Sequence, residues 1–366
     1  MNRRSFLKTS AGCAALLGLG PALVGCRKDY YSANDFVEAP KTDVHFHYDT
    51  YDDACLMYAS SIGMHLVSIN VDAGDSIDEQ LDIVVNLQKR HPGMLDFLGT
   101  FSVDDFGRDG FTDQIIARIE RCMNLGAKGI KIWKNIGMTL QDEQGNYIMA
   151  DNPALAPVFT YLEKQGIPVT AHLGEPKNCW LPYNEMTMKG DLHYYLQNPQ
   201  YHMFQHPDKP SYEDQVIARD YLLKRYPKLV IVGAHIGSLE WCLDELAQRF
   251  DAYPNFSVDL SARMSYLQLH SLHNRTKTQA FLTKYQDRIL YGSDIGIHEI
   301  NPEKKEGLQK ELLETWSSQW KYLATGEMLP SNQFTLESAP KEMEGLRLSR
   351  IIVDKIFFGN TKRIFG

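Results

Sequence analysis

Several features are scarce in this sequence, and each absence removes a class of protein. Cysteine is sparse, with six in 366 residues and no C-x-x-C spacing, so neither a zinc ribbon nor a thiol redox motif is present. Cys13 falls in the N-terminal leader, and Cys55, Cys122, Cys179 and Cys242 lie far apart. Buried thiols are the expectation for those four, although an oxidising compartment would permit disulfides. Basic runs are missing beyond the N-terminus and the formal charge is −8, which excludes the electrostatic footprint of a nucleic-acid binder. The apolar stretch from Ala11 to Val24 falls short of the roughly 20 residues a bilayer span needs. No G-x-G-x-x-G follows the first strand pattern, which argues against a dinucleotide-binding open sheet, and neither internal repeats nor low-complexity tracts occur.

What is present at the N-terminus has the layout of an export signal. "NRRSFLK" at 2–8 supplies a charged region, the apolar stretch follows, and "LVGC" ends at Cys26. The Arg3–Arg4 pair followed by Ser5–Phe6–Leu7–Lys8 resembles a twin-arginine signal. "LVGC" resembles a bacterial lipobox, in which Cys26 carries lipid and becomes the new N-terminus. Cutting there removes Arg3, Arg4 and Lys8 and no acidic residue, so the mature chain is more acidic. The expected division is an export signal over 1–26, a Tyr-rich leader over 27–40, and one catalytic domain over 41–366. A periplasmic or cell-envelope lipoprotein, held to a membrane through Cys26, is the localisation this predicts.

From residue 41 the chain alternates. Strand-like runs occur at 42–49, 65–73, 95–103, 128–133, 167–174, 229–237, 256–262 and 288–296, separated by helical patterns such as "FTDQIIARIERCMNLG". In that segment Ile115, Ile116, Ile119, Met123 and Leu125 recur at near-helical spacing and Gly126 stops the pattern. Eight strands alternating with helices over about 250 residues predict an α/β fold, a distorted (β/α)8 TIM barrel. The connection 174–211, rich in Trp, Tyr, Phe and His, is far longer than an ordinary βα loop and predicts a lid or insertion after the fifth strand.

Polar residues recur at the ends of these strands, where a barrel places its chemistry. "KTDVHFHYD" at 41–49 puts His45 and His47 on one face of the first strand with Phe46 opposite, and Asp43 in their column. Lys131 lies in the fourth strand, His172 ends the fifth, His235 the sixth and Asp294 the eighth. A single strand-end histidine is as readily a hydrogen-bonded structural group as a ligand, and Lys131 could merely balance Asp43. Four imidazoles, one amine and one carboxylate at matching depth in one repeating pattern have a stronger common explanation in a metal site.

The pieces H-x-H at 45–47, "GIKIW" at 129–133, "AHLGEP" at 171–176, "GAHIGS" at 233–238, "GSDIG" at 292–296 and the closing "IFFGNTKRIFG" resemble the metal-dependent amidohydrolase superfamily. The resemblance is to its amidohydrolase-related branch, which includes aminocarboxymuconate-semialdehyde decarboxylase-like enzymes. It implies a divalent metal at the barrel mouth, one Zn²⁺ held by His45, His47, His172 and Asp294. Asp294 would act on a metal-activated water as general base and His235 would shuttle a proton or polarise the substrate. In binuclear members a carbamylated lysine bridges two metals, so Lys131 leaves that form open. In the one-metal form Lys131 is an electrostatic or substrate-binding group.

Hydrolysis of a C–N or C–O bond in an amide, lactone or ester is the leading reaction, because an exported protein more plausibly degrades external material. Non-oxidative decarboxylation of an aromatic or unsaturated acid is the alternative, and it needs a cation such as Arg263 or Lys134 for the carboxylate. Trp180 in the aromatic loop is a candidate substrate contact, or else packs within a lid. A non-catalytic binding lipoprotein is a third reading. The partner is a small molecule, and homo-oligomer formation stays open.

Overall fold

The computed structural model describes residues 29–298, 303, 305–336 and 338–366. The export-signal motifs, Cys13 and Cys26 lie outside these residues. Eight strands form where the apolar runs predict them: β1 (Lys41–Tyr48), β2 (Met64–Ile69), β3 (Leu95–Thr100), β4 (Ile130–Ile132), β5 (Val169–Ala171), β6 (Ile231–Gly233), β7 (Phe256–Asp259) and β8 (Ile289–Leu290). They pair in parallel in chain order, and β9 (Ile295–Ile297) lies beside β1. The predicted eighth strand is therefore broken: its first half pairs with β7 and its second half with β1. Val44 N donates to Tyr291 O at 3.0 Å and Asp294 N to His45 O at 2.8 Å across that seam. The result is a distorted (β/α)8 barrel.

Helices cover the outside through one apolar stripe each. In the helix Phe111–Asn124 the buried residues are Phe111, Ile115, Ile119 and Cys122, a spacing of three to four. Ile116 and Met123 are only partly buried. Each fully buried apolar side chain there contributes about 1.5–3 kcal/mol. The helix sits so close to β3 that a Cβ on Gly99 would meet Cys122 Cβ at 2.5 Å, so Gly99→Ala would force the two apart. The helix Ile77–Arg90 has Ser76 as its N-cap, accepting from Glu79 N, with Asp78 and Glu79 in the first turn and Lys89 and Arg90 in the last.

The barrel's interior is closed at the end where the strands begin. Val44, Val67, Leu98, Val232 and Leu290 meet Phe365, delivered by the C-terminal helix Asn360–Phe365. Asn360 Nδ2 anchors that helix by donating to Gln286 O and Ile289 O, both at 2.7 Å. The strand alternation expected for β1 fails in one place. Its register slips between Asp43 and Phe46, so Asp43 leaves the column of His45. Asp43 instead accepts from Ser293 N and Trp316 Nε1, both at 2.9 Å. Lys131 consequently does not balance it.

The insertion after β5 is an ordered lid of short turns and one helix, Lys189–Gln197. Cys179, Met186, Tyr195 and Met203 form a small core of its own. The region 301–345 holds the helix Lys305–Ala324 and an antiparallel pair, β10 (Met328–Pro330) and β11 (Glu342–Glu344). No disulfide joins the four cysteines among the described residues: Cys55, Cys122 and Cys179 are buried thiols and Cys242 is half-buried.

Candidate metal centre

His45 and His47, two residues apart on β1, both line the barrel mouth, and neighbouring strands fix their rings. His45 Nδ1 faces Asp259 Oδ2 and Ser261 Oγ, each at 2.9 Å, and His47 Nδ1 faces Ile69 O at 2.9 Å. Each ring is thereby held with its Nε2 directed to the interior. Asp294 stands opposite, its Oδ1 lying 3.2 Å from His45 Nε2 and 3.4 Å from His47 Nε2. Close approach of β8 to β1 requires Gly292, where a Cβ would meet His45 Cβ at 2.8 Å.

His235 completes the tight cluster: one ligand atom each from His45, His235 and Asp294 lie within 4.8 Å of one another. Its Nδ1 faces Ser261 O at 3.0 Å, and its backbone N donates to Asp259 Oδ1 at 2.9 Å. His47 adjoins the cluster through Asp294, and His172 adjoins it through His235, with Nδ1 3.2 Å from His235 Nε2. His172 Nε2 is buried without a hydrogen-bond partner, and Glu175 Oε2 lies 3.8 Å away. The backbone here is strained. His235, Ile236, Ser238, Ala262 and Asp294 all have φ between 53° and 69°, a region that costs a non-glycine residue about 1–3 kcal/mol and persists where packing enforces it.

Burial and charge set the protonation states. Burial lowers the pKa of the His45 and His235 imidazoles, and pushes His172 down to about 4. Burial opposes ionisation of Asp294, but the imidazoles of His235, His45 and His47 outweigh it and hold the carboxyl well below the usual range. Asp259 likewise stays ionised against burial, because His45, His235 and Ser261 surround it. Lys131 is fully enclosed, with Nζ 3.2 Å from His45 Nε2. Burial lowers its pKa to about 8, against the pull of Asp259 and Asp294. Half-buried Lys134 forms an ion pair with the buried carboxylate of Glu175.

The donor set fits a divalent cation. Three imidazoles have Nδ1 tied to a carboxylate, a hydroxyl or a backbone carbonyl, the outer arrangement that orients metal-ligating histidines. An ionised carboxylate and an ammonium already face the same Nε2 of His45. The site lines a cleft of about 380 Å³ together with His172, Lys131, Lys134 and Trp133. Two residues singled out from the sequence do not line that cleft. Trp180 is half-buried and packs edge-on against Tyr212, at the start of the helix that follows the lid, at 5.4 Å. Arg263 is drawn toward Asp191, Tyr266 and Glu240.

Asp259, Ser261 and Glu175 were not recognisable as site residues from spacing alone. A signal existed for two of them: Asp259 ends a strand as His235 does, and Glu175 follows His172 by three residues.

The fold and this convergence of imidazoles on one carboxylate place a candidate cation site at the mouth of a barrel. The chain belongs to the amidohydrolase family, whose model matches residues 82–366, a span that includes His172, His235 and Asp294. That family consists of enzymes that typically use divalent metals. Residues 1–20 match a TAT (twin-arginine translocation) pathway signal sequence, which indicates export across the membrane. Among solved structures, 2,6-dihydroxybenzoate decarboxylase from Rhizobium is 16% identical, covering 89% of this chain and 98% of that one at a TM-score of 0.50. A 2,6-dihydroxybenzoate decarboxylase complexed with 2,6-dihydroxybenzoate is also 16% identical, at 89% and 99% coverage and a TM-score of 0.50. An amidohydrolase candidate from Staphylococcus aureus is 13% identical, with 89% and 99% coverage and a TM-score of 0.50. At such identities the likeness shows the fold alone. No curated protein matches the chain.

Proposed function

We propose that this protein is a metal-dependent hydrolase that cleaves a C–N or C–O bond of a small amide, lactone or ester outside the cytoplasm. The supporting observation is that Asp294 presents one carboxylate oxygen to two imidazole Nε2 atoms whose rings are locked from behind. His45, His47, His235 and Asp294 would hold one Zn²⁺, with His172 adjoining through His235. When bound, such a cation supplies Lewis acidity that acidifies water and polarises a carbonyl. Asp294, held ionised, accepts the proton of the attacking water. His172, which lies beside the tight cluster rather than in it, would pass the proton taken up by Asp294 on to the leaving group. Lys131, with its lowered pKa, supplies positive charge beside the developing oxyanion.

Hydrolysis is favoured over decarboxylation by the state of the cations. Lys134 is committed to Glu175, and Arg263 lies outside the cleft lining, so neither is free to hold a substrate carboxylate. Decarboxylation of an aromatic acid is the second reading, favoured by the likeness to 2,6-dihydroxybenzoate decarboxylase. We also read the mature protein as a lipoprotein beginning at Cys26, with 27–40 as leader and 41–366 as one domain. The test is elemental analysis of the purified protein, with a panel of lactones, amides and aromatic acids assayed for acid production and for CO₂. One equivalent of zinc with acid production is expected. CO₂ release would reject hydrolysis, and a protein without transition metal would reject both reactions.

A further inference from the structure

The end of the barrel opposite the cleft has a surface of different chemistry. The helical stretch from Arg350 to Phe365 closes that end, and the residues it leaves outward include Ile351, 67% exposed, and Phe358, 36% exposed. Lys355 and Lys362 fall between and after them at helical spacing, and Lys362 Nζ lies 5.8 Å from the Phe358 ring. The leader joins the same face. Arg350 N donates to Asp29 O at 2.8 Å, and Arg347 stacks over Tyr30, itself 44% exposed, at 4.9 Å. Residues 347–366 carry five basic side chains and one acidic, in a chain whose formal charge is −8. Of the exposed acids nearby, Asp29 sits on the face itself and Asp287 is already paired with Lys355 at 2.8 Å.

We propose that this basic, apolar face rests on an anionic phospholipid surface and turns the cleft away from the membrane. Two independent features select a bilayer as the occupant. Interleaved Lys or Arg and large apolar residues are the composition that lies at a lipid interface, where each basic side chain is attracted to anionic headgroups. The described chain also begins on this face: Asp29 is three residues from Cys26, a tether of at most about 11 Å. Acyl chains on Cys26 would therefore hold this face, and no other, at the headgroups. One lipid attachment with a basic patch is the two-signal arrangement that makes anchoring stable. The orientation rests on the lipoprotein reading, whereas the affinity of the face for anionic lipid does not.

The test uses the processed protein purified from membranes and reconstituted in vesicles. A polarity-sensitive dye is placed at Ile351→Cys, or at Tyr201→Cys on the lid, each in a Cys242→Ser background. In phosphatidylglycerol vesicles the dye at 351 should be quenched by spin-labelled lipid at least threefold more than the dye at 201. The difference should shrink in phosphatidylcholine and in the Lys355→Glu/Lys362→Glu variant. Equal quenching at both positions, or stronger quenching at 201, would overturn the proposal. A dye at 351 that shifts in detergent as protein concentration rises would also overturn it, in favour of a second copy as occupant. The mass of the N-terminal peptide reports lipidation separately. Quenching at 351 with an unlipidated Cys26 would uphold the docking face and reject the anchor.

Discussion

The two walls of the cleft handle buried charge in different ways. On the wall made by β1, β7 and β9, every imidazole has a partner behind it: Asp259 and Ser261 behind His45, Ile69 O behind His47. The charge there is shared across a network that also includes the backbone of His235. On the wall formed after β4 and β5, one ion pair, Lys134–Glu175, carries the charge, and His172 Nε2 makes no hydrogen bond, its nearest charged neighbour being Glu175 Oε2 at 3.8 Å. A fully tied network holds ligands in one geometry, whereas an orphaned imidazole beside an ion pair keeps a polar atom available for what enters the cleft. The first wall reads as the place for a cation and the second as the place for substrate.

Removing the carboxylate that faces both imidazoles should break the first wall most severely. Asp294→Ala deletes a candidate ligand and the candidate base together. General-base loss alone is worth up to about ten-thousandfold, or roughly 5.5 kcal/mol. Turnover on whichever substrate is found should fall by at least that factor, with bound metal reduced in the same sample. Turnover within tenfold of the parent would show that Asp294 has neither role.

The second wall breaks through its ion pair. Lys134→Met leaves Glu175 charged and buried, which should cost about 3–5 kcal/mol in urea unfolding. Lys134→Met/Glu175→Gln should recover most of that loss, since no charge is then stranded. The sign with pH is fixed by the direction of the shift. Lys134 and His172 outweigh burial and hold the Glu175 carboxyl well below its ordinary value. Its contribution is present above about pH 4.3 and is lost as pH falls through the folded value.

Much of the first wall was legible in the sequence and much of the second was not. His45, His47, His235 and Asp294 announce themselves because an imidazole or carboxylate at the end of an apolar strand interrupts the periodicity that defines the strand. The barrel followed from the same periodicity. The slip in β1 could not be read, because Asp43, His45 and His47 satisfy strict alternation on paper. What removes Asp43 from the column is Trp316, 273 residues away in sequence, which offers it a hydrogen bond. The pairing of Lys134 with Glu175 depends on a loop conformation with no period of its own. Trp180 stays open for a related reason: an aromatic residue in a long loop reads the same whether it faces the cleft or packs within the lid.

Behind the second wall, Glu240 offers a pH test of smaller size. Burial pushes its carboxyl up to about 7, and Oε2 has no hydrogen-bond partner. A raised carboxyl favours the folded state below its unfolded pKa and loses that advantage as pH rises through the folded value. Stability attributable to Glu240 should therefore decline between about pH 4.5 and 7, by at most about 3 kcal/mol. Glu240→Gln cannot ionise, so relative to the parent it should gain stability at pH 8 and gain none at pH 4. Parallel stability–pH curves for the two proteins would show that Glu240 does not titrate in this window.

The finest distinction between the walls concerns Asp259, which does not line the cleft and supports His45 Nδ1 and the backbone of His235 from behind. An aspartate accepts from His45 Nδ1–H and so leaves the lone pair on Nε2, directed at the cleft. Asp259→Asn keeps the volume but presents an amide that can donate to Nδ1, which moves the ring proton to Nε2 and removes the lone pair a cation needs. Outer partners of this kind contribute about 10–100-fold to metal affinity, equivalent to about 1.4–2.8 kcal/mol. The variant should bind zinc that much more weakly while its occupied form keeps most of the parent's turnover at saturating metal. A purely structural role would instead lower turnover and unfolding stability at every zinc concentration. Glu175→Gln on the opposite wall should leave zinc affinity unchanged, because no candidate ligand of the tight cluster leans on it.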